Sequence, residues 1–312
     1  MVGGGVERRV PFRPSPRFDL GVRGGPVLPG AIVGVDPLRE PLALAEDRYD
    51  LVWSLVAPSG QKVALAAVLY DLLDHIAVLV PGRGRLVPDP DGGGYRWSRQ
   101  LSEQQARALE VGTTVRTPTL VEATTGIVSN DPYLLPYAFR ELARRRRQGG
   151  VGRQPFLALD GDPLQEHYWD ARIFEDLHVA VYRAGFVATQ ELYDEAAGRV
   201  HRFLADLEEH LRRTTYLYGD RPTVGDLWLF SLLVRFDQVY GPGFRLHRYR
   251  IRDLPATQHY LRRLYAIPAC TATTDFAAIS AGYFLGIPAL NRNVVPAGPD
   301  ELYLRDEGTS GP

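Results

Sequence analysis

The chain has 312 residues, of which 45% are apolar, and its 36 basic and 37 acidic side chains leave a net charge of −1. That length allows one large domain or two smaller ones, and that balance gives no overall field for nucleic acid or an anionic membrane surface. The single cysteine, Cys270, excludes an intrachain disulfide and fits a reducing, cytoplasmic setting.

Residues 1–47 open with Gly, Pro and Arg and read as an irregular arm. The first 30 carry no apolar leader segment and no run of 18 apolar residues follows, so neither a secretory signal nor a membrane span is expected. Tyr49 to Leu55 is short, apolar, β-branched and aromatic, which predicts a buried strand. After Ala57-Pro58-Ser59-Gly60, a helical pattern runs from Gln61 to about Leu73, with Val63, Ala66, Ala67, Tyr70 and Leu73 on one face. His75 to Pro81 reads as a second strand. Residues 82–98 read as a Gly/Pro/Asp loop ending in Tyr95-Arg96-Trp97.

Val115 to Val121 is strand-like but contains Pro118, which cannot donate within a central strand. Thr125-Gly126 predicts a hairpin turn into Ile127-Val128. Asn130 or Asp131 caps the next helix, with Pro132 at its first position and Leu134, Leu135, Ala138, Phe139 and Leu142 on its apolar face. The basic run Arg144–Arg147 precedes Gly149-Gly150. It reads as a last helical turn favoured by the helix dipole, in preference to a phosphate-binding patch.

Beyond a Pro-containing linker the pattern is helical throughout: Leu164–Val181, Thr189–Arg213, 223–238, Leu254–Tyr265 and a last helix near Thr274–Ser280. An extended, Pro-rich tail follows. This order predicts an arm over 1–47, an α/β domain over 48–150, a helical domain over 162–286 and a tail over 287–312. The central element is Tyr216 to Tyr240. Thr223 and Asp226 have capping-box spacing, and Leu227, Leu229, Phe230, Leu232, Leu233 and Phe236 make the helix apolar nearly all round, so it is buried. Arg235 and Asp237 need partners there and read as a buried structural pair.

Several unusual strings fall in one order: Val181-Tyr182-Arg183-Ala184-Gly185-Phe186, Arg235-Phe236-Asp237 with Val239-Tyr240, and Tyr283-Phe284 followed by Asn291 and Val294-Val295-Pro296. Together with the capped helix they resemble the glutathione-transferase fold, and more narrowly its xi class, the glutathionyl-hydroquinone reductases. The resemblance implies an α/β N-terminal thioredoxin-like domain with a cis proline at Pro118, plus an all-α C-terminal domain. It also implies a homodimer, an aromatic small-molecule substrate, and glutathione or another low-molecular-weight thiol as cofactor. No metal, nucleic acid or membrane partner is expected; His167, His178, His201, His210, His247 and His259 lack metal-ligand spacing with acidic or Cys residues.

The family's cysteine motif, Ser-Leu-Ala-Cys-Pro-Trp-Ala-His, matches Ser54 to Gln61, and Ala57 stands at the cysteine. The family reaction needs a thiolate at a helix N-terminus, so a cysteine-dependent reductase is not expected. Cys270, in an Ile-Pro-Ala-Cys context, reads as a small buried hydrophobe. The resemblance assigns the thiol site to Ala57, Tyr95, Thr117, Pro118 and Asp131. Pro132 there removes an amide and a hydroxyl, and Asp131 is one methylene shorter than the family's Glu. These changes weaken glutathione binding or alter the ligand. Tyr182 and Tyr283 match family tyrosines that face the acceptor pocket, where a hydroxyl serves as general acid or holds an oxyanion; the plain alternative is core packing. Ser59 reads either as a helix N-cap or as a hydrogen-bond partner for a bound thiolate. Two functions follow: a divergent transferase, lyase or isomerase using Tyr182, Tyr283 and Ser59, or a non-catalytic binding protein that reuses the fold.

Overall fold

The structure is a computed structural model that describes residues 42–114, 117–123, 126–151, 153–161, 163–287, 290, 294–298 and 304. Most of the expected arm, Val115 and Thr125, and most of the tail including Asn291 lie outside the described residues.

β1 (Tyr49–Val52) and β2 (Ile76–Val80) are buried at every position. Apolar runs without alternation suit strands covered on both faces. The two pair in parallel, Tyr49 opposite Ile76, and α1 (Pro58–Leu69) makes the crossover. On the other side of β1, β5 (Thr119–Glu122) runs antiparallel with Thr119 opposite Val52, and β6 (Gly126–Ser129) follows it. The Thr117–Pro118 peptide is cis, as the resemblance implied.

The stretch expected to be a loop at 82–98 is a hairpin. β3 (Gly84–Pro88) and β4 (Tyr95–Ser98) extend the sheet to the order β4-β3-β2-β1-β5-β6. The turn residues sit mainly between the strands, and Gly84, at φ +98° with its Cα against the Ser98 carbonyl, is where a side chain would not fit. α2 (Glu103–Thr114) had no counterpart in the sequence reading. It covers one face of the sheet through Ala108, which packs with Val52, Ala77, Leu79 and Val121. α3 (Leu135–Gln148) begins later than expected. Asp131 Oδ1 accepts from the amides of Tyr133 (2.8 Å) and Leu134 (3.2 Å), so it caps a turn that precedes the helix. The basic run at the end of α3 is structural: Arg144 donates to the Leu159 carbonyl (2.6 Å) and Arg146 to Asp74 (2.8 Å).

The remainder is helical. α4 (Pro163–Arg172), a π-helical segment (Ile173–Val179) and α5 (Ala180–Phe186) form one run, longer than the expected Leu164–Val181. α6 (Gln190–Leu211) starts at Thr189, whose hydroxyl accepts from the Leu192 amide. α7 (Val224–Leu233) is buried at every residue and carries the expected capping box. Asp226 does more than close the box: its Oδ1 also accepts from the Leu217 amide (2.9 Å) and the Tyr260 hydroxyl (2.8 Å). That ties α7 to the loop before it and to α9 (Pro255–Tyr265). Burying Trp228, Leu229 and Phe230 contributes roughly 1.5–3 kcal/mol each. A π-helical segment (Phe236–Tyr240) and the short α8 (Gly241–Phe244) continue α7. The helix expected near Thr274–Ser280 is α11 (Phe276–Phe284), and the short α10 (Pro268–Ala272) before it was not anticipated.

Arg235 and Asp237 do not pair with each other. Asp237 accepts from the amides of Ile251 (2.7 Å) and Arg252 (3.2 Å), capping a 3-10 turn. Residues two apart on a helix point in different directions, and each found backbone partners on its own side. Among the described residues no helix is long and apolar enough to cross a membrane.

Candidate functional site

β1 ends in a turn, Ser54 to Ala57, closed by an Ala57 amide to Ser54 carbonyl bond of 3.2 Å. Ala57 is the N-cap of α1, in extended conformation, and offers its first helical turn only a backbone carbonyl, which accepts from Gln61 (3.1 Å). Pro58 takes the first helical position, where its fixed φ suits and its missing N–H costs nothing. Ser59 is therefore not the cap. It lies half-buried in the first turn, beside the amides that point out of the helix N-terminus.

The antiparallel register of Val52 with Thr119 brings Pro118 to this same end of the sheet, and β6 returns to it at Ser129. Ala57, Ser59, Thr117, Pro118 and Asp131 thus converge. Tyr95 does not join them. It sits on β4, three strands from β1 on the side away from β5. The hairpin lies against α10, where Trp97 Nε1 donates to the Ala272 carbonyl (3.2 Å). The carboxylate of Asp131 is buried and occupied by its own turn.

From the helical half, Tyr182 on α5 and Tyr283 on α11 bring their hydroxyls to 2.6 Å, and Tyr240 adds a third, 3.5 Å from Tyr283. Phe244 organises the rings: it stacks on Tyr240 (centroids 5.3 Å) and meets Tyr182 (5.6 Å) and Tyr283 (6.2 Å). Tyr182 is half-buried, the other two buried. Burial, with the neighbouring hydroxyls, holds Tyr182 and Tyr240 well above the ordinary tyrosine range. They are neutral donors at pH 7. Tyr240 was missed as a site residue. Its signal lay in the Arg-Phe-Asp-x-Val-Tyr string, which was read for family likeness and not for its hydroxyl.

Arg235 joins the two halves. It is fully buried and donates to the carbonyls of Leu55 (2.9 Å), Val56 (3.1 Å) and Ser231 (2.6 Å) and to Gln61 Oε1 (2.5 Å). Gln61 in turn donates to the Thr273 carbonyl (3.1 Å) and Thr274 Oγ1 (3.0 Å). Beside it, Gly282 packs so closely on Val56 that a Cβ would run into the valine side chain. The residue before Ala57 and the residue before Tyr283 are therefore in contact. The loop carrying Ala57 thus adjoins the helix that carries Tyr283.

A second buried cluster adjoins the tyrosine cluster through the rings of His178 and Tyr182 (centroids 5.6 Å) and had no place in the sequence reading. Lys62, 1% exposed, holds its ammonium 4.0 Å from the ring centroids of both Tyr133 and Trp228. Burial lowers its pKa, and Asp170 and Asp131 oppose that shift. Burial raises the carboxyl of Asp170, which accepts from the Tyr137 hydroxyl. His178 Nδ1 accepts from Trp228 Nε1 (3.3 Å), since an indole N–H can only donate, and lies 3.1 Å from the Tyr133 hydroxyl. Burial drives the His178 pKa down to about 3.

Cys270 is fully buried in α10, and burial pushes its thiol far up. Among the described residues no group of three or more His, Cys, Asp or Glu side chains is arranged to hold a metal ion.

Residues 190–263 match the family described as glutathione S-transferase, C-terminal domain. Over 139 residues the chain is 37% identical to the glutathionyl-hydroquinone reductase YqjG of Escherichia coli (strain K12), a match covering 43% of this chain and 42% of that protein. The chain thus spans about two-fifths of the length of that curated relative. In three dimensions the likeness is broader. The glutathione-bound structure of YqjG from Escherichia coli K-12 superposes with a TM-score of 0.68 at 26% identity, covering 83% of this chain and 87% of that one. A xi-class glutathione transferase from Natrialba magadii gives 0.67 at 26% identity, over 86% and 84%.

Proposed function

The chain belongs to the glutathione S-transferase superfamily and is related to its xi class, and from that premise we propose a divergent enzyme of the transferase, lyase or isomerase type. It acts on an aromatic, quinone-like small molecule or its thiol conjugate, without a cysteine nucleophile. The observation that carries this reading is the Tyr182–Tyr283 hydroxyl pair, 2.6 Å apart, beside the loop that presents Ala57 at the start of α1.

The chemistry follows from the groups present. Within the pair one hydroxyl donates to the other, and the hydroxyl that accepts keeps its own proton to donate to a substrate oxygen, where it stabilises the charge that grows during addition to, or rearrangement of, a quinone-like ring. A thiol, glutathione or another of low molecular weight, is held non-covalently by the amides at the α1 N-terminus and by Ser59. Cis-Pro118 and Thr117 border that position. The relatives named as glutathionyl-hydroquinone reductases supply the substrate class; Ala57 removes the sulfur on which a cysteine-dependent version would depend. Because the Asp131 carboxylate is engaged by its own turn, a thiol lacking a γ-glutamyl group fits as well as glutathione.

The test is turnover of a panel of quinones and thiols by wild type, Tyr182→Phe and Tyr283→Phe. Each variant is expected to lose about 10²-fold in rate, the typical cost of one oxyanion donor. Full activity in both would sink the catalytic role of the pair. A wild type inert toward the whole panel would favour a non-catalytic binding protein.

A further inference from the structure

We infer that this site is built to receive an anion: an aromatic ligand whose negative charge lies on its ring oxygen, selected through the buried guanidinium of Arg235. The inference rests on the proposed function and names the charge state of its substrate.

The protein surrounds its buried cations in different ways. A charge taken out of water is costly unless a counter-charge accompanies it. Lys62 has Asp170 and Asp131 acting on it. Arg140 pairs with Glu166 at 2.7 Å, and Arg146 with Asp74 at 2.8 Å. Arg235 is at least as buried as any of these, yet all four of its hydrogen bonds go to neutral oxygens, three carbonyls and an amide. Among the described residues no carboxylate lies within ion-pair distance of it. The acids nearest in sequence are committed elsewhere, Asp226 to Thr223, Leu217 and Tyr260, and Asp237 to Ile251 and Arg252.

Carbonyl dipoles satisfy a guanidinium but do not cancel its charge. The titratable groups on which that charge acts are Tyr283 from α11, Tyr240 from the π-helical segment and Tyr182 from α5. From α1 it meets only Gln61. Tyr182 and Tyr240 are neutral at pH 7. The seam between the domains therefore carries a full positive charge, in a medium that screens poorly, next to hydroxyls poised to donate. The missing counter-charge is the ligand. An ionised phenol or enol accepts from Tyr182 or Tyr283 and supplies the charge; its neutral form supplies neither as well. Arg235 acts through the field and through the Leu55–Val56 loop, as a positioning residue that sets specificity.

The experiment uses 4-nitrophenol, whose absorption reports its ionisation, and 4-nitroanisole, a neutral ligand of similar shape. Both are titrated into wild type, Arg235→Lys, Arg235→Gln and Gln61→Glu over a range of pH. In wild type and Arg235→Lys, bound 4-nitrophenol is expected to ionise at least about one pH unit below the free phenol, a tenfold preference for the anion. In Arg235→Gln the preference disappears while 4-nitroanisole binds as before. Should that variant not fold, Gln61→Glu answers the question: it keeps the guanidinium, places a carboxylate against it and is expected to abolish the preference. Equal ionisation of bound and free phenol in wild type, or an unchanged preference in Gln61→Glu, overturns the inference and leaves the proposed function standing. Failure of both compounds to bind wild type overturns the two together.

Discussion

Lys62 and Arg235 are both buried cations against α7, and the protein surrounds them in opposite ways. Lys62 sits between two aromatic faces, with Asp170 and Asp131 acting on its charge. Arg235 is held by neutral oxygens and has only tyrosine hydroxyls before it. The first region is electrically closed, so a ligand gains nothing from it. The second is hydrogen-bonded but electrically open. Both clusters tie α1 to the helical half, and the difference separates one that is complete in itself from one whose charge waits for a partner.

The largest expected effect tests the closed side. Asp170→Asn removes the acid that most opposes the lowering of the Lys62 pKa to about 7, and is expected to cost about 1–3 kcal/mol of stability in urea unfolding at neutral pH, since Lys62 then sheds its proton instead of staying charged. Adding Lys62→Met should recover most of that loss, since removing both groups removes the mismatch. A single variant that loses less than about 1 kcal/mol would mean that Asp170 does not compensate the lysine, and the comparison would fail on that side.

A smaller effect concerns His178, which lies between the two clusters. Its folded pKa, about 3, is below the ordinary value of 6.5. Its contribution is present above pH 6.5 and is lost as pH falls toward 3, because the unfolded chain takes up a proton that the fold refuses. The slope is up to about 1.4 kcal/mol per pH unit. His178→Gln should reduce the stability difference between pH 7 and pH 5 by about 2 kcal/mol in all, since the full slope is reached only well below pH 6.5. Identical slopes in the two proteins would mean that the imidazole is charged in the fold, and the closed cluster would need another cation in its ledger.

The sequence disclosed what depends on neighbours in the chain. The Thr223–Asp226 box, the span of α6 and the buried character of β1 rest on local spacing, and the structure has all three. The β3–β4 hairpin was obscured because its glycines and aspartates outnumber the alternating residues around them. α2 has too few apolar residues to announce a period, yet Ala108, with Leu109 and Val111 beside it, seats it on the sheet. The site itself was half legible. Tyr182 and Tyr283 were found by likeness, and their hydroxyls do meet. Tyr95 was misplaced because nothing local shows that its strand leaves for the far edge. The partners of Arg235 at Leu55 and Val56, and those of Lys62 at Tyr133, Asp170 and Trp228, are distant in sequence. No spacing rule reaches across the seam where these charges are buried.

The most direct measurement is glutathione-dependent reduction of a glutathionyl-hydroquinone by wild type and by Ala57→Cys. Wild type is expected to show no reduction above the uncatalysed background, because position 57 carries no sulfur and Cys270 is sealed in α10. Ala57→Cys is expected to gain the reaction, since the helix N-terminus and the tyrosine pair are already in place. Robust reduction by wild type would contradict a cysteine-free site.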